Sequence, residues 1–235
     1  MKQFIKQNSI FLGLCLIFLI VLGVVLLLVP KADLHLWLNQ YHSPAADTFF
    51  IGCSSVAELV PYAVVILLLF YKAGWSVFLF ANLIISGFVG QGFKYLFNTP
   101  RPLTYFTEHL PDIQLQLADG VEMSRYYSFP SGHAITFFVL FFTLCLITTE
   151  FLAGKKLQRP RLISSLAQII LFIFVLLGCY SRIYLSQHFA EDIWGGLVVG
   201  LLVSMLFCVA FLRFSDKKWW NWHFFAKKTQ KNLVD

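Results

Sequence analysis

The run IFLGLCLIFLIVLGVVLLLV, residues Ile10–Val29, contains no charged side chain and no proline. At 1.5 Å of rise per residue, about 20 helical residues cross the roughly 30 Å hydrocarbon layer of a bilayer. Lys2 and Lys6 precede the run, as basic residues precede a signal peptide. It is long for the apolar region of such a peptide, however, and no clear A-x-A cleavage pattern follows. A retained membrane helix is therefore predicted.

The remainder of the chain has the same character. Of its 235 residues 58% are hydrophobic and 13% charged, with a mean hydropathy of +0.73. Soluble domains carry about 25% charged residues. Five further apolar runs follow, at Ala57–Tyr71, Trp75–Phe93, His133–Thr149, Leu162–Tyr180 and Ile193–Leu212. The expected fold is all-α, a six-transmembrane-helix bundle forming one domain over residues 1–235. Pro30–Ser55 mixes Trp37, Tyr41, Phe49 and Phe50 with polar residues, which suits a short helix lying in the membrane interface. Lys72-Ala73-Gly74 reads as a turn and Gly154–Arg161 as a basic loop. Lys94–Phe129 is polar and proline-bearing, long for a loop and so a candidate for function. Trp219, Trp220 and Trp222, among lysines, read as an interfacial anchor. The pairs Gly87/Gly90 and Gly196/Gly200 have the spacing of tightly packed helices.

Charge sets the expected orientation. With the N-terminus inside, the inner segments hold Lys2, Lys6, Lys72, Lys155, Lys156, Arg159, Arg161, Arg213, Lys217, Lys218, Lys227, Lys228 and Lys231. That is 13 of the 18 basic residues, and only Lys31, Lys94, Arg101, Arg125 and Arg182 fall outside. The positive-inside bias thus puts both termini in the cytoplasm. It also accounts for the net charge of +6 without a nucleic-acid partner. Cys15, Cys53, Cys145, Cys179 and Cys208 show neither a disulfide framework nor a zinc-binding spacing.

Three polar clusters sit at outer ends of spans on this topology. They are KYLFNTPRP (Lys94–Pro102), PSGH (Pro130–His133) and SRIYLSQHFAED (Ser181–Asp192). Lys94, Arg101 and Arg182 supply cationic donors, and arginine grips a phosphate with two parallel hydrogen bonds. Ser131-Gly132-His133 opens a helix, whose free N–H groups and dipole favour an anion. His188 and Asp192 are four apart, so they share a face if the helix has begun by His188. A carboxylate beside an imidazole fixes its tautomer and stabilises the cation formed when the other nitrogen attacks. A nucleophile with its orienter, a second histidine and a cationic cradle are the parts of phosphoryl transfer.

The pattern K-x6-RP, PSGH, SR-x5-H-x3-D resembles that of the type 2 phosphatidic acid phosphatase family. It is met at Lys94, Arg101, Pro102, Pro130, Ser131, Gly132, His133, Ser181, Arg182, His188 and Asp192. The resemblance implies that His188 attacks phosphorus and forms a phosphohistidine while Asp192 holds its ring. It implies that His133 protonates the leaving alkoxide and then activates water. Lys94, Arg101, Ser131, Gly132 and Arg182 would bind the phosphoryl oxygens. No metal or cofactor is implied. These motifs are also similar to those of vanadium-dependent haloperoxidases, which are soluble, so the six spans speak against that chemistry.

The expected partner is a phosphorylated membrane lipid, met at the periplasmic face of the cell (inner) membrane. Candidates are lipid A phosphates, undecaprenyl diphosphate, phosphatidylglycerophosphate and phosphatidic acid, with the first two favoured by an outward site. Two other activities use the same features: a phosphotransferase passing the phosphoryl group to a second lipid, and an anion transporter. The latter needs charges along a path through the spans, which are almost free of them away from their outer ends. Glu58, near the start of the second span, is open to an interfacial or a functional reading. Leu103–Phe129 carries Glu108, Asp112, Asp119 and Glu122 against Arg125, and is either a solvated loop or a selectivity element. His35, His42, His109 and His223 show no partner pattern.

Overall fold

The computed structural model describes residues 2–156 and 158–225. The helices are α1 (Lys2–Gln7), α2 (Ser9–Leu28), α3 (Lys31–Asn39), α4 (Pro44–Leu68), α5 (Ala73–Phe97), α6 (Pro102–His109), α7 (Gly132–Ala153), α8 (Pro160–Tyr184) and α9 (Ala190–Phe211). Among the described residues there is no strand. Helices α2, α4, α5, α7, α8 and α9 are each long and apolar enough to cross a membrane, so the chain is an integral membrane protein with the six spans expected. The basic residues Lys227, Lys228 and Lys231 lie outside the described residues.

Helix α7 is the centre of the bundle and packs against α4, α5, α8 and α9. Its aromatic rings determine how close the neighbours come. Gly178 of α8 leaves room for the Phe137 ring, and Gly200 of α9 for Phe138. At Gly196 the close neighbour is backbone: a Cβ there would lie 2.6 Å from the Ser131 carbonyl oxygen. Gly90 of α5 faces Ile135 in the same way. The packing role expected for Gly90, Gly196 and Gly200 is met, whereas Gly87 faces nothing within 4 Å.

Several boundaries differ from the hydropathy reading. The second span begins at Pro44 rather than Ala57. Ser43 caps it, its hydroxyl accepting from the Ala46 amide at 3.2 Å, and Pro44 occupies the first turn. Asp47 and His42 lower the hydropathy there, yet they pair with each other at 2.9 Å, and Tyr184 donates to Asp47 at 2.5 Å. Helix α5 runs on to Phe97 and stops at Asn98, whose φ of 41° is left-handed. Lys94 therefore sits on its last turn, not in a loop. The segment after it contains α6, held by the buried Phe106 against Phe189 and His35. The short interfacial helix expected after the first span is α3.

The opposite end of the bundle is closed by the tail. Trp220 is buried under Gly74 and against Trp75, and its carbonyl accepts from the Gly74 amide at 2.9 Å. It is thus a plug in the helix ends rather than the interfacial anchor expected, while Trp219 and Trp222 remain half exposed. Glu150 receives Lys72 and, at 2.6 Å, the Trp75 indole N–H beside it.

Candidate active site

All three clusters meet at the other end of the bundle, and backbone hydrogen bonds lace them together. The Ser131 amide donates to the Asp192 carbonyl at 2.9 Å, joining the start of α7 to the start of α9. The Thr99 carbonyl receives the Ser128 amide at 3.1 Å, and its hydroxyl receives the Phe129 amide at 2.9 Å. The Arg101 amide donates to the Arg125 carbonyl at 2.8 Å. The long segment between α6 and α7 is thereby folded back on the residues that precede Arg101.

His188 lies in the short connection between α8 and α9, and α9 begins only at Ala190. The condition for the two to share a helix face, that the helix has begun by His188, is therefore not met. The pair forms nonetheless, with His188 Nδ1 3.3 Å from Asp192 Oδ2 and both side chains 1% exposed. The reason is local. Asp192 is the third residue of α9, and its carboxylate turns back to accept the Phe189 amide at 2.8 Å, capping the helix. His188 is fixed just upstream by its own amide, which donates to the Arg182 carbonyl at 3.1 Å. Nδ1 faces the carboxylate, so Nε2 is the nitrogen left for chemistry.

Two further residues, which the spacing of the motifs did not point to, complete this centre. Ser128 is fully buried and donates its hydroxyl proton to Asp192 Oδ2 at 2.5 Å. Gln187 joins the two arginines: its Oε1 accepts from Arg101 Nη1 at 2.8 Å and from Arg182 Nη2 at 3.3 Å. Its Nε2 is anchored on the Glu122 carbonyl at 3.0 Å. The only signals of these residues in the sequence are a serine two places before PSGH and a polar residue beside His188. Arg182 also reaches Ser54 of α4 with Nη1, which brings the second span into the site.

Lys94, Arg101 and Arg182 all act electrostatically on His188. Burial first, then these cations, hold the His188 imidazole well below the ordinary histidine range. His133 occupies the first turn of α7, where Ser131 caps the helix by accepting from the Ala134 amide at 3.3 Å. A Cβ on Gly132 would meet nothing within 4 Å, so the N-terminus of α7 opens on free space. His133 Nε2 and Arg182 Nε are buried without a hydrogen-bond partner. Glu58 of α4 is the nearest acid to the former, at 3.7 Å. Among the described residues no group of three His, Cys, Asp or Glu side chains has a metal-holding arrangement. Every residue singled out from the motifs is thus at this end of the bundle. His35, left unassigned, lies behind the site and bonds Ser186 at 3.1 Å; burial pushes its imidazole down to about 4.

The chain is 27% identical over 190 residues to undecaprenyl-diphosphatase BcrC of Bacillus subtilis, covering 75% of this chain and 79% of that protein. It is 27% identical over 179 residues to the lipid A 4'-phosphatase of Porphyromonas gingivalis, covering 74% and 70% respectively. Its fold is similar to the crystal structure of LpxE from Aquifex aeolicus, with a TM-score of 0.59 at 22% identity over 75% of this chain and 93% of that one. Residues 75–216, which contain all three clusters, match the family model of the PAP2 superfamily, and the chain belongs to that superfamily.

Proposed function

We propose that this protein is a lipid phosphatase that works through a phosphohistidine on His188. The observation that carries the reading is the buried His188–Asp192 pair set beside two arginines that Gln187 holds together. His188 Nε2 attacks phosphorus, the N–P bond forms, and the bond from phosphorus to the lipid oxygen breaks. Asp192 stabilises the imidazolium that results. His133 gives a proton to the departing oxygen. Water then attacks the phosphohistidine, His133 takes up its proton, and inorganic phosphate leaves as the N–P bond breaks.

Lys94, Arg101 and Arg182 hold the phosphoryl oxygens through the transition state. Arg182 Nε, a buried donor without a partner among the described residues, suits a phosphoryl oxygen, and the open space beside Gly132 suits the approach of an anion to the α7 N-terminus. The basic residues at the other end of the bundle support an orientation with the termini in the cytoplasm and this site at the outer face. A lipid tail then stays among the helices while its phosphate meets the cations. The activities of the two relatives support a lipid A phosphate or a polyprenyl diphosphate as substrate.

The test is phosphate release by purified protein in detergent with chelator present, over lipid A, undecaprenyl diphosphate, phosphatidylglycerophosphate and phosphatidic acid. Release from at least one lipid is expected, with His188→Ala and Asp192→Asn inactive and folded. Full activity in either variant overturns the mechanism. Transfer of phosphate to a second lipid, without free phosphate, makes the protein a phosphotransferase.

A further inference from the structure

Helix α4 carries a polar edge where hydropathy asks for none. Ser54 and Glu58 are one turn apart, and Ser54 is spent on Arg182. Glu58 is different. Its side chain is 63% exposed, between Ala57 and the exposed apolar Leu59 and Val60, on a helix that crosses the membrane. An ionisable side chain on a membrane-spanning helix is costly and by default marks an interaction. The partner at hand is His133 Nε2, 3.7 Å away, buried and otherwise unpartnered.

The position of this pair gives it a chemical meaning. In an in-line displacement the entering and leaving groups lie on opposite sides of phosphorus. Asp192 backs the entering side through His188; Glu58 stands on the side of His133, where the leaving group departs. A carboxylate there accepts a hydrogen bond from a hydroxyl-bearing leaving group. It repels a leaving group that is itself a phosphate. Lys94, Arg101 and Arg182 neutralise the transferred phosphoryl group; the Glu58 charge also acts on Arg182 of that cradle, and its carboxylate lies beside the proton donor.

We propose that Glu58 positions His133 and selects the leaving group, favouring lipid phosphomonoesters of an uncharged, hydroxyl-rich alcohol such as a sugar over lipid diphosphates. The proposal rests on the phosphatase reading above and deepens it. Among the described residues Glu58 is the one carboxylate within 4 Å of a His133 ring nitrogen.

The experiment compares wild type, Glu58→Gln and Glu58→Asp, purified in detergent, on two lipids. One carries a monophosphate on a glucosamine ring, the other is a prenyl diphosphate. Wild type is expected to prefer the sugar monophosphate. In Glu58→Gln, kcat for that lipid falls about tenfold, the effect of one pKa unit of lost interaction, with KM little changed. Diphosphate hydrolysis is spared or rises, so the preference moves at least tenfold toward it, taking the same one-unit measure. Glu58→Asp keeps the charge and restores the wild-type preference. An active wild type whose preference is unmoved in Glu58→Gln overturns the proposal, as does a Glu58→Asp that behaves like Glu58→Gln, or a wild type that prefers the diphosphate. A wild type that releases phosphate from neither of these lipids but does so from phosphatidylglycerophosphate or phosphatidic acid overturns this proposal alone; inactivity on all of them overturns the phosphatase reading, and this proposal with it.

Discussion

Replacing Gly196 by alanine tests whether helix packing and catalysis share one contact. The added carbon would lie 2.6 Å from the Ser131 carbonyl oxygen and 2.8 Å from Ala134 Cβ, where ordinary contact starts near 3.4 Å. Neither atom belongs to a flexible side-chain end, so α7 and α9 must part by about 0.8 Å, an overpacking that costs roughly 1–3 kcal/mol. For a chain of this size each kcal/mol is worth about 2–4 °C, so the thermal midpoint should fall by roughly 5 °C. The same parting stretches the bond from the Ser131 amide to the Asp192 carbonyl and moves the Ser131–His133 turn away from His188. Misplacing reacting groups by about 1 Å costs on the order of 100-fold in rate. Phosphate release and thermal unfolding followed by tryptophan fluorescence measure the two effects on one preparation. Gly132→Ala is the contrast, because its methyl group meets nothing within 4 Å of protein but enters the space where the anion approaches. It should leave the midpoint unchanged and raise KM. A Gly196→Ala protein with wild-type kcat and midpoint would refute the reasoning.

Gln187→Leu removes the acceptor shared by Arg101 and Arg182. A hydrogen bond to a charged group contributes about 1.5–3 kcal/mol, so kcat/KM should fall about 10- to 100-fold; a loss under twofold would count against Gln187 holding the cradle. The pH profile tests the electrostatics of the nucleophile. Burial and the cations hold His188 below the ordinary histidine value of 6.5, so its ring stays neutral and nucleophilic into more acidic solution. Removing one cation in Arg101→Gln lets the ring take up a proton more readily. The acidic limb of kcat/KM should then move to higher pH, and a limb that stays in place contradicts the account.

The spans were legible because apolar length alone defines them, and the three clusters because their residues recur at fixed spacing. What escaped was set by partners distant in sequence. The start of α4 was hidden by Asp47, Ser54 and Glu58, which lower local hydropathy. Each is answered by a group on another helix or connection: Asp47 by His42 and Tyr184, Ser54 by Arg182, Glu58 by His133. Helix α6 was hidden because Pro102, Thr104, Thr107 and Glu108 resemble loop residues, while the burial of Pro102 and Phe106 holds it in place. Ser128 and Gln187 carry no pattern of their own, since their meaning lies in the carboxylate and guanidinium groups they touch. Trp220 looked like its neighbours until the small Gly74 above it showed where it goes.

The carboxylate of Asp192 aims His188 and also receives the Phe189 amide. The start of α9 and the aim of the His188 ring are consequently coupled through one oxygen atom. Unwinding the first turn of α9 frees the Asp192 carboxylate, and with it the imidazole that the carboxylate faces. The exchange rate of the Phe189 amide hydrogen is therefore a substrate-free readout of how often that carboxylate leaves its place.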